Sequence, residues 1–485
     1  MEGKKKAFLC IMVCLSAFTQ GTMFLWNSFS LPKLEKEALM DNNCNISDSN
    51  ITMHITEEAC VGDLSEHHLS FIASAHSIGA ALGALFSGSV LSLGPLNMIL
   101  PILSIAVVLS WAMMVHAPSL TIMVVGKILL GLSVTLQCSQ VPLYIAHVAP
   151  SKHRGLLLSS FSIIRNLSQI IVTASAELLP LTWRVMTYIF GIVPAVLLAL
   201  AGPCLIKVEE IDSNLKNDPD SVAYGILNVT NFSAWMNSTL INKKHPIFGK
   251  CISLVPNSVD NIAELSKLPE MKKELERNYG SAKVSTMRQK NWSIIKSTLF
   301  LMFFASSYIL SGMVLITNFP SKLFTSTYPF KPLLAMSVSL FSNLIGSIIS
   351  SFLTDKFGVG IILMVSSSGM AFCMSCLSVY YNFDMCSTYS LMCYFPLIVT
   401  IIFFISLSIG IGTIFIVIIG EKLPLKKRSL TMPLIMVTME ILEAVQNFIL
   451  PLLISYMNTY GLTVIFGGHA VANMASVLVA FLWLE

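Results

Sequence analysis

Charge is what this sequence has least of. Asp, Glu, Lys and Arg make up 12% of its 485 residues, against 54% hydrophobic residues and a mean hydropathy of +0.74. So few charges cannot clothe that much apolar surface in water, which excludes a soluble globular protein and makes lipid the solvent. Also missing are a phosphate-binding glycine loop, a zinc-ligand spacing and a nucleophile signature, so covalent chemistry, a metal and a cofactor are not expected. Nor does one sign of charge dominate. The net +4 is accounted for by membrane topology, and nothing favours a nucleic-acid partner.

What is present is a series of long apolar runs. A spanning helix needs about 20 apolar residues, because the hydrocarbon layer is roughly 30 Å thick and each residue rises 1.5 Å. Twelve segments qualify: 7–30, 69–92, 95–116, 120–145, 155–178, 183–206, 294–318, 332–354, 359–380, 392–420, 430–456 and 461–483. The one long polar stretch, 207–293, separates them into two sets of six. The expected organisation is a six-helix bundle over 1–206, a central cytoplasmic loop with short amphipathic helices over 207–293, and a second bundle over 294–485. Lys4-Lys5-Lys6 before an apolar run imitates a signal peptide, but the run continues through Phe24-Leu25-Trp26, so an uncleaved first helix is expected. The chain stops at Trp483-Leu484-Glu485, directly after the twelfth segment.

Orientation follows from the lysines and arginines of the short loops. With a cytoplasmic N-terminus, the inner set (Lys4, Lys5, Lys6, Lys152, Arg154, Lys356, Lys422, Lys426, Lys427, Arg428) outnumbers the outer set (Lys33, Lys36, Arg184, Lys322, Lys331). Both termini are therefore expected inside, in a multi-pass plasma-membrane protein, as a monomer. The first outer loop then holds two glycan acceptors, Asn45 and Asn50, and a possible bridge between Cys44 and Cys60, with two free thiols as the open alternative.

A nine-residue pattern appears once per half, where an apolar helix ends in a basic turn. It reads His147-x-x-Pro150-x-x-x-Arg154-Gly155 and then Glu421-x-x-Pro424-x-x-x-Arg428-Ser429, each between the fourth and fifth segments of its half. A duplicated membrane chain is the mark of a transporter whose halves rock about a central cavity. Helix five carries Ser159, Ser162, Asn166, Gln169 and Thr173 on one face, in steps of three and four. Such a stripe is costly against lipid, so it should face a cavity or another helix, as a solute site or as interhelical hydrogen bonding. Arg165 shares that broad face, and Glu440, Glu443 and Asn447 lie along helix eleven. A charge at the bilayer centre costs about 2.5–3.5 kcal/mol on insertion scales, so these groups should face water or a partner. His76 and His469 lack metal-ligand spacing and read as helix–helix hydrogen bonding. Gly79 and Gly83 in the second segment read as a face for close helix packing.

With these patterns in place, the chain resembles a sugar porter of the major facilitator superfamily, in particular the facilitated trehalose transporters of invertebrates. The resemblance rests on Trp26-Asn27-Ser28-Phe29 through Lys33-Leu34, on Pro142-Leu143-Tyr144 through Arg154-Gly155, and on Leu310-Ser311-Gly312. It extends to Asp355-Lys356-Phe357-Gly358 and to Gly420-Glu421 through Arg428. It implies an all-α protein of twelve transmembrane helices in two pseudo-symmetric bundles, carrying a small solute (trehalose or a hexose) by facilitative alternating access. It also implies Asn343, Ser311 and Tyr308 at the solute site beside Ser162, Asn166, Gln169 and Glu440. Arg154, Glu421, Arg428 and Asp355 become cytoplasmic gate residues. Lys127 stands where the family has arginine, toward the outer end of helix four, and joins Arg165 and Glu443 as an intramembrane charge.

The departures are as informative. His147 replaces the family's glutamate, and Gly94-Pro95-Leu96 replaces its Gly-Arg-Arg. Ile416 takes the place of a stacking tryptophan, and Met439-Glu440 that of an Asn-Trp pair. The glucose-type site has lost amides and aromatic platforms and gained charge. This leaves a carrier of another polar solute, or a transport-deficient sensor or scaffold, as alternatives.

Overall fold

A computed structural model describes residues 2–44, 65–90, 96–148, 151–201, 298–324, 331–357, 359–383, 390–412, 425–457 and 459–484. They form helices throughout: α1 Glu2–Cys44, α2 Glu66–Val90, α3 Leu96–Val115, α4 Leu120–Val148 and α5 Ser151–Leu178. Next comes α6, in three continuous pieces (Trp183–Thr187, Tyr188–Ile192 and Val193–Ala201), and then α7, over 298–309 and Met313–Asn318. A short helix Pro320–Phe324 follows. The remainder are α8 Pro332–Phe357, α9 Val359–Asn382, α10 Phe395–Ile409, α11 Leu425–Met457 and α12 Thr459–Leu484. Ten of these elements are long and apolar enough to cross a membrane; α1 and α5 are as long but more polar. The central segment and its expected amphipathic helices lie outside the described residues.

Helix packing repeats with a shift of six. The α2 helix packs on α4 as α8 does on α10, α3 on α6 as α9 on α12, and α1 on α5 as α7 on α11. Between the halves the two main contacts, α2 with α11 and α5 with α8, exchange under the same shift. That is the pattern two copies of one bundle produce about a pseudo-twofold axis.

Small residues set the helix spacing within the first half. A Cβ added at Gly79 would stand 1.9 Å from the Ile128 carbonyl oxygen, and one at Gly131 would stand 2.0 Å from that of His76. The α2 and α4 backbones therefore touch, as the small-residue face in α2 predicts. The outward faces are apolar: Ile102, Leu109, Ile163, Val365, Phe372, Val471 and Leu482 are exposed, the surface that lipid covers.

Two helices differ from the simple rods expected. In α6, Pro194 brings no N–H, and the turn before it widens into a π segment, Tyr188–Ile192. The Phe190 carbonyl, which an N–H at 194 would take, accepts instead from the Thr22 hydroxyl of α1 at 3.0 Å. In α7 the chain breaks at Leu310-Ser311-Gly312, where Gly312 has φ +103°. The freed carbonyls are served by α12: His469 Nδ1 reaches Leu310 O at 2.8 Å, and Asn473 Nδ2 donates to Ser311 O at 3.0 Å.

Candidate functional site

A continuous polar chain crosses from one half to the other. On α2, His76 Nε2 lies 3.3 Å from Glu443 Oε1 of α11, with both side chains almost wholly buried. Beside them Asn447 Nδ2 donates to Ser77 Oγ at 3.4 Å, and Asn447 Oδ1 accepts from Asn318 Nδ2 of α7 at 2.7 Å. Ser77 Oγ is 3.2 Å from His76 Nε2, which joins the two links. The other ring nitrogen, Nδ1, faces the Ala73 carbonyl at 3.2 Å, and that oxygen also accepts from Asn27 Nδ2 of α1 at 3.1 Å.

Asn27 continues the chain to a buried lysine. Lys127 of α4, 1% exposed, donates to Asn27 Oδ1 and, at 2.7 Å, to the Ile72 carbonyl. Its ammonium also stands 4.3 Å from the centroid of the Trp26 ring. Among the described residues no carboxylate lies within ion-pair distance of it. Neutral dipoles and an aromatic face surround the amine. Trp26 is fixed in turn by its Nε1–H, which donates to Thr187 Oγ1 of α6 at 3.1 Å.

The described part of the helix-five stripe, from Asn166 to Thr173, faces protein. Asn166 and Thr173 are buried, Gln169 and Arg165 half-buried, and the lipid side of α5 is Ile163, Leu167 and Ile171. Among the described residues, Arg165 Nε and Glu440 Oε2 are buried atoms without a hydrogen-bond partner. Arg165 lies within electrostatic range of Cys138 and Tyr308, as Glu440 does of Cys138 and Glu443 does of Tyr308. This places a base from α5 and two acids from α11 around one region between the halves. The side chain of Ser162 is outside the description.

Asn343 of α8 is half-buried, and its Oδ1 accepts from the Ser408 hydroxyl of α10. Ser311 is fully buried and donates to the Tyr308 carbonyl at 2.8 Å, so its hydroxyl closes the turn that breaks α7. Tyr308 is partly buried just before that break.

A second set of contacts ties the halves at the end that the charge bias assigns to the outside. Lys322, in the short helix after α7, reaches Glu35 of α1 at 3.3 Å and Glu66 of α2 at 3.9 Å. Lys331, at the start of α8, reaches Glu177 at the end of α5 at 3.7 Å. Sequence reasoning missed these outer pairs because their partners are distant in the chain and lie in or beside loops. Cys393, at the same end before α10, is disulfide-bonded, which suits an oxidising compartment on that side. Of the expected gate residues, Arg154, Arg428 and Asp355 have side chains outside the description, as does Cys44. Glu421, Asn45, Asn50 and Cys60 lie wholly outside it.

Comparisons with known proteins agree on a family. The family model described as "Major Facilitator Superfamily" matches residues 7–446. Plastidic glucose transporter 4 of Arabidopsis thaliana is 23% identical over 378 residues, covering 75% of this chain and 60% of that protein. The chain thus spans less than two thirds of that relative's length. The galactose-proton symporter of Escherichia coli is 29% identical over 140 residues, 28% of this chain and 30% of that one. Among solved structures, an inward open conformation of the xylose transporter XylE from E. coli superposes with a TM-score of 0.66 at 14% identity. That match covers 98% of this chain and 94% of the other.

Proposed function

The chain belongs to the Major Facilitator Superfamily, and on that premise we propose that it carries a sugar across a membrane by alternating access. The observation that carries this reading is the buried polar chain that runs from Lys127, inside the first bundle, across the seam to Asn318 of the second, in a fold whose packing repeats with a shift of six. A static membrane protein gains little from burying such groups, because each must find a partner where water is absent. A carrier needs them, since its halves separate and expose them in turn.

The expected solute is trehalose or a hexose, bound by Asn343, Asn166 and Gln169 with Tyr308 beside them. Named relatives that include a glucose transporter and a galactose symporter support the sugar class. Planar amides and an aromatic ring are the groups that satisfy sugar hydroxyls and cover C–H faces. Arg165 Nε and Glu440 Oε2, buried without a hydrogen-bond partner among the described residues, are two further polar groups near Cys138. They favour a solute richer in hydrogen-bonding groups than glucose. The expected setting is the plasma membrane, with both termini cytoplasmic and one chain per carrier.

The test is uptake by purified protein in liposomes, with radiolabelled trehalose, D-glucose, D-galactose, D-xylose and myo-inositol. Saturable flux of at least one of them is the expected result. No flux of any of them, from protein shown to be monodisperse, favours the reading as a transport-deficient sensor or scaffold.

A further inference from the structure

We propose that His76 and Glu443 form a proton-binding site that fastens α2 to α11, and that each carrier cycle takes up and releases one proton there. The inference rests on the carrier reading and changes it in one respect: solute flux becomes linked to pH.

The argument is a count of hydrogens. The His76 ring faces two acceptors, the Ala73 carbonyl at Nδ1 and the Glu443 carboxylate at Nε2. A carbonyl oxygen can only accept, and so can an ionised carboxylate. A neutral imidazole has one hydrogen for these two contacts. Whichever nitrogen carries it, the other contact sets lone pair against lone pair. Both contacts hold together only when the pair has gained one proton, either as imidazolium with carboxylate or as neutral imidazole with a carboxylic acid. The direct link between His76 of one half and Glu443 of the other thus holds only in the protonated state.

A resting place for the deprotonated state is already built. Ser77 Oγ lies 3.2 Å from Nε2, so its hydroxyl can donate there once the ring is neutral with its hydrogen on Nδ1. Asn447 Nδ2 supports that hydroxyl from the acceptor side. Glu443 then faces a lone pair and is released from α2. The proton goes to and comes from water through Glu443, the more accessible partner at 11% side-chain exposure against 1% for His76. No other reactant is needed.

Other titratable and charged groups face the pair from the helices packed around it. On α11, Glu440 lies close to Glu443; on α7, Tyr308 is within electrostatic range of Glu443 and of Arg165 on α5. On α4, Lys127 is separated from the ring by Asn27 and the Ala73 carbonyl, and Cys138 lies by Arg165 and Glu440. Gain and loss of a single proton are the expected steps.

Two measurements on the full chain test this. The first needs no solute. Proton uptake by purified protein is titrated from pH 8 to about 5.5, a range in which an ordinary glutamate stays ionised, and wild type is compared with Glu443→Gln. The glutamine amide donates permanently to Nε2, so the variant is expected to bind about one proton fewer per chain. A difference near zero means that His76 titrates independently, and it overturns the proposal. The second uses liposomes with the sugar panel above and an acid-outside gradient. Wild type is expected to accumulate a sugar against its concentration. In Glu443→Gln the ratio of gradient-driven uptake to equilibrium exchange is expected to fall at least tenfold. Sugar exchange by wild type without accumulation in the gradient overturns the coupling. If no sugar moves at all, the carrier reading fails, and the titration alone decides for or against the proton site.

Discussion

Lys322 of the second half stands 3.3 Å from Glu35 of the first, with Glu66 on its other side at 3.9 Å. The pair is part of the closure at the outer end of the bundle. Half-exposed ion pairs contribute about 0–1 kcal/mol each, so they bias the position of the halves without locking it. Lys322→Glu is expected to raise labelling of cysteines placed between the halves near the outer end by about two- to fivefold. Adding Glu35→Lys should return it toward the wild-type rate. Unchanged labelling in both variants would remove the closing role.

Lys127 is the most deeply buried base described, and it holds α1, α2 and α4 together through Asn27, Ile72 and Trp26. Lys127→Ala leaves the Asn27 oxygen without its donor and bares one face of Trp26. An unsatisfied buried group costs about 1–3 kcal/mol. A lowered melting temperature in detergent is expected, with Lys127→Met recovering the packing but not the hydrogen bonds. An unchanged melting temperature for the alanine variant would show that water replaces the ammonium.

Two glycines make a matched pair. Gly312 has φ +103°, and an added Cβ would stand 2.7 Å from Met374 Cε, while one at Gly468 of α12 would meet nothing within 4 Å. Left-handed backbone costs a side chain roughly 1–2 kcal/mol, and in a helix alanine is favoured over glycine by about 1 kcal/mol. Gly312→Ala is expected to destabilise and Gly468→Ala to be neutral or stabilising, both read by thermal unfolding. Equal effects would contradict the break in α7.

Arg165 and Glu440 come from opposite halves, and each has a buried atom without a partner among the described residues. Arg165→Ala and Glu440→Ala are each expected to lower flux of the preferred solute by tenfold or more, with surface delivery unchanged. Retained uptake in both would take these residues out of the solute path.

Much of this architecture was legible in the sequence, because the signals are local. Apolar runs mark the spans, the polar stripe on α5 turns inward at the buried Asn166 and Thr173, and Asn343 of α8 is bonded within the protein. His76 reads from sequence as a helix–helix hydrogen bond, and Gly79 as a packing contact. What stayed hidden needed knowledge of neighbours. Nothing local joins His76 to Glu443 or Lys322 to Glu35, since each pair meets only when one half is placed against the other. The break in α7 was half visible. Leu310-Ser311-Gly312 stood out as a motif, but its purpose depends on His469 and Asn473 of another helix. A helix end was missed where a terminus runs past the apolar stretch, as α1 does to Cys44.

The discontinuity at Gly312 has a mechanical consequence. Bending a rod inside lipid normally ruptures backbone bonds that no solvent can replace. Here the two loose oxygens are already held by α12, while the segment beyond them answers to α11 through Asn318 and Asn447. The upper part of α7 can therefore swing with one neighbour while the lower part stays with the other, and no peptide group is stranded along the way.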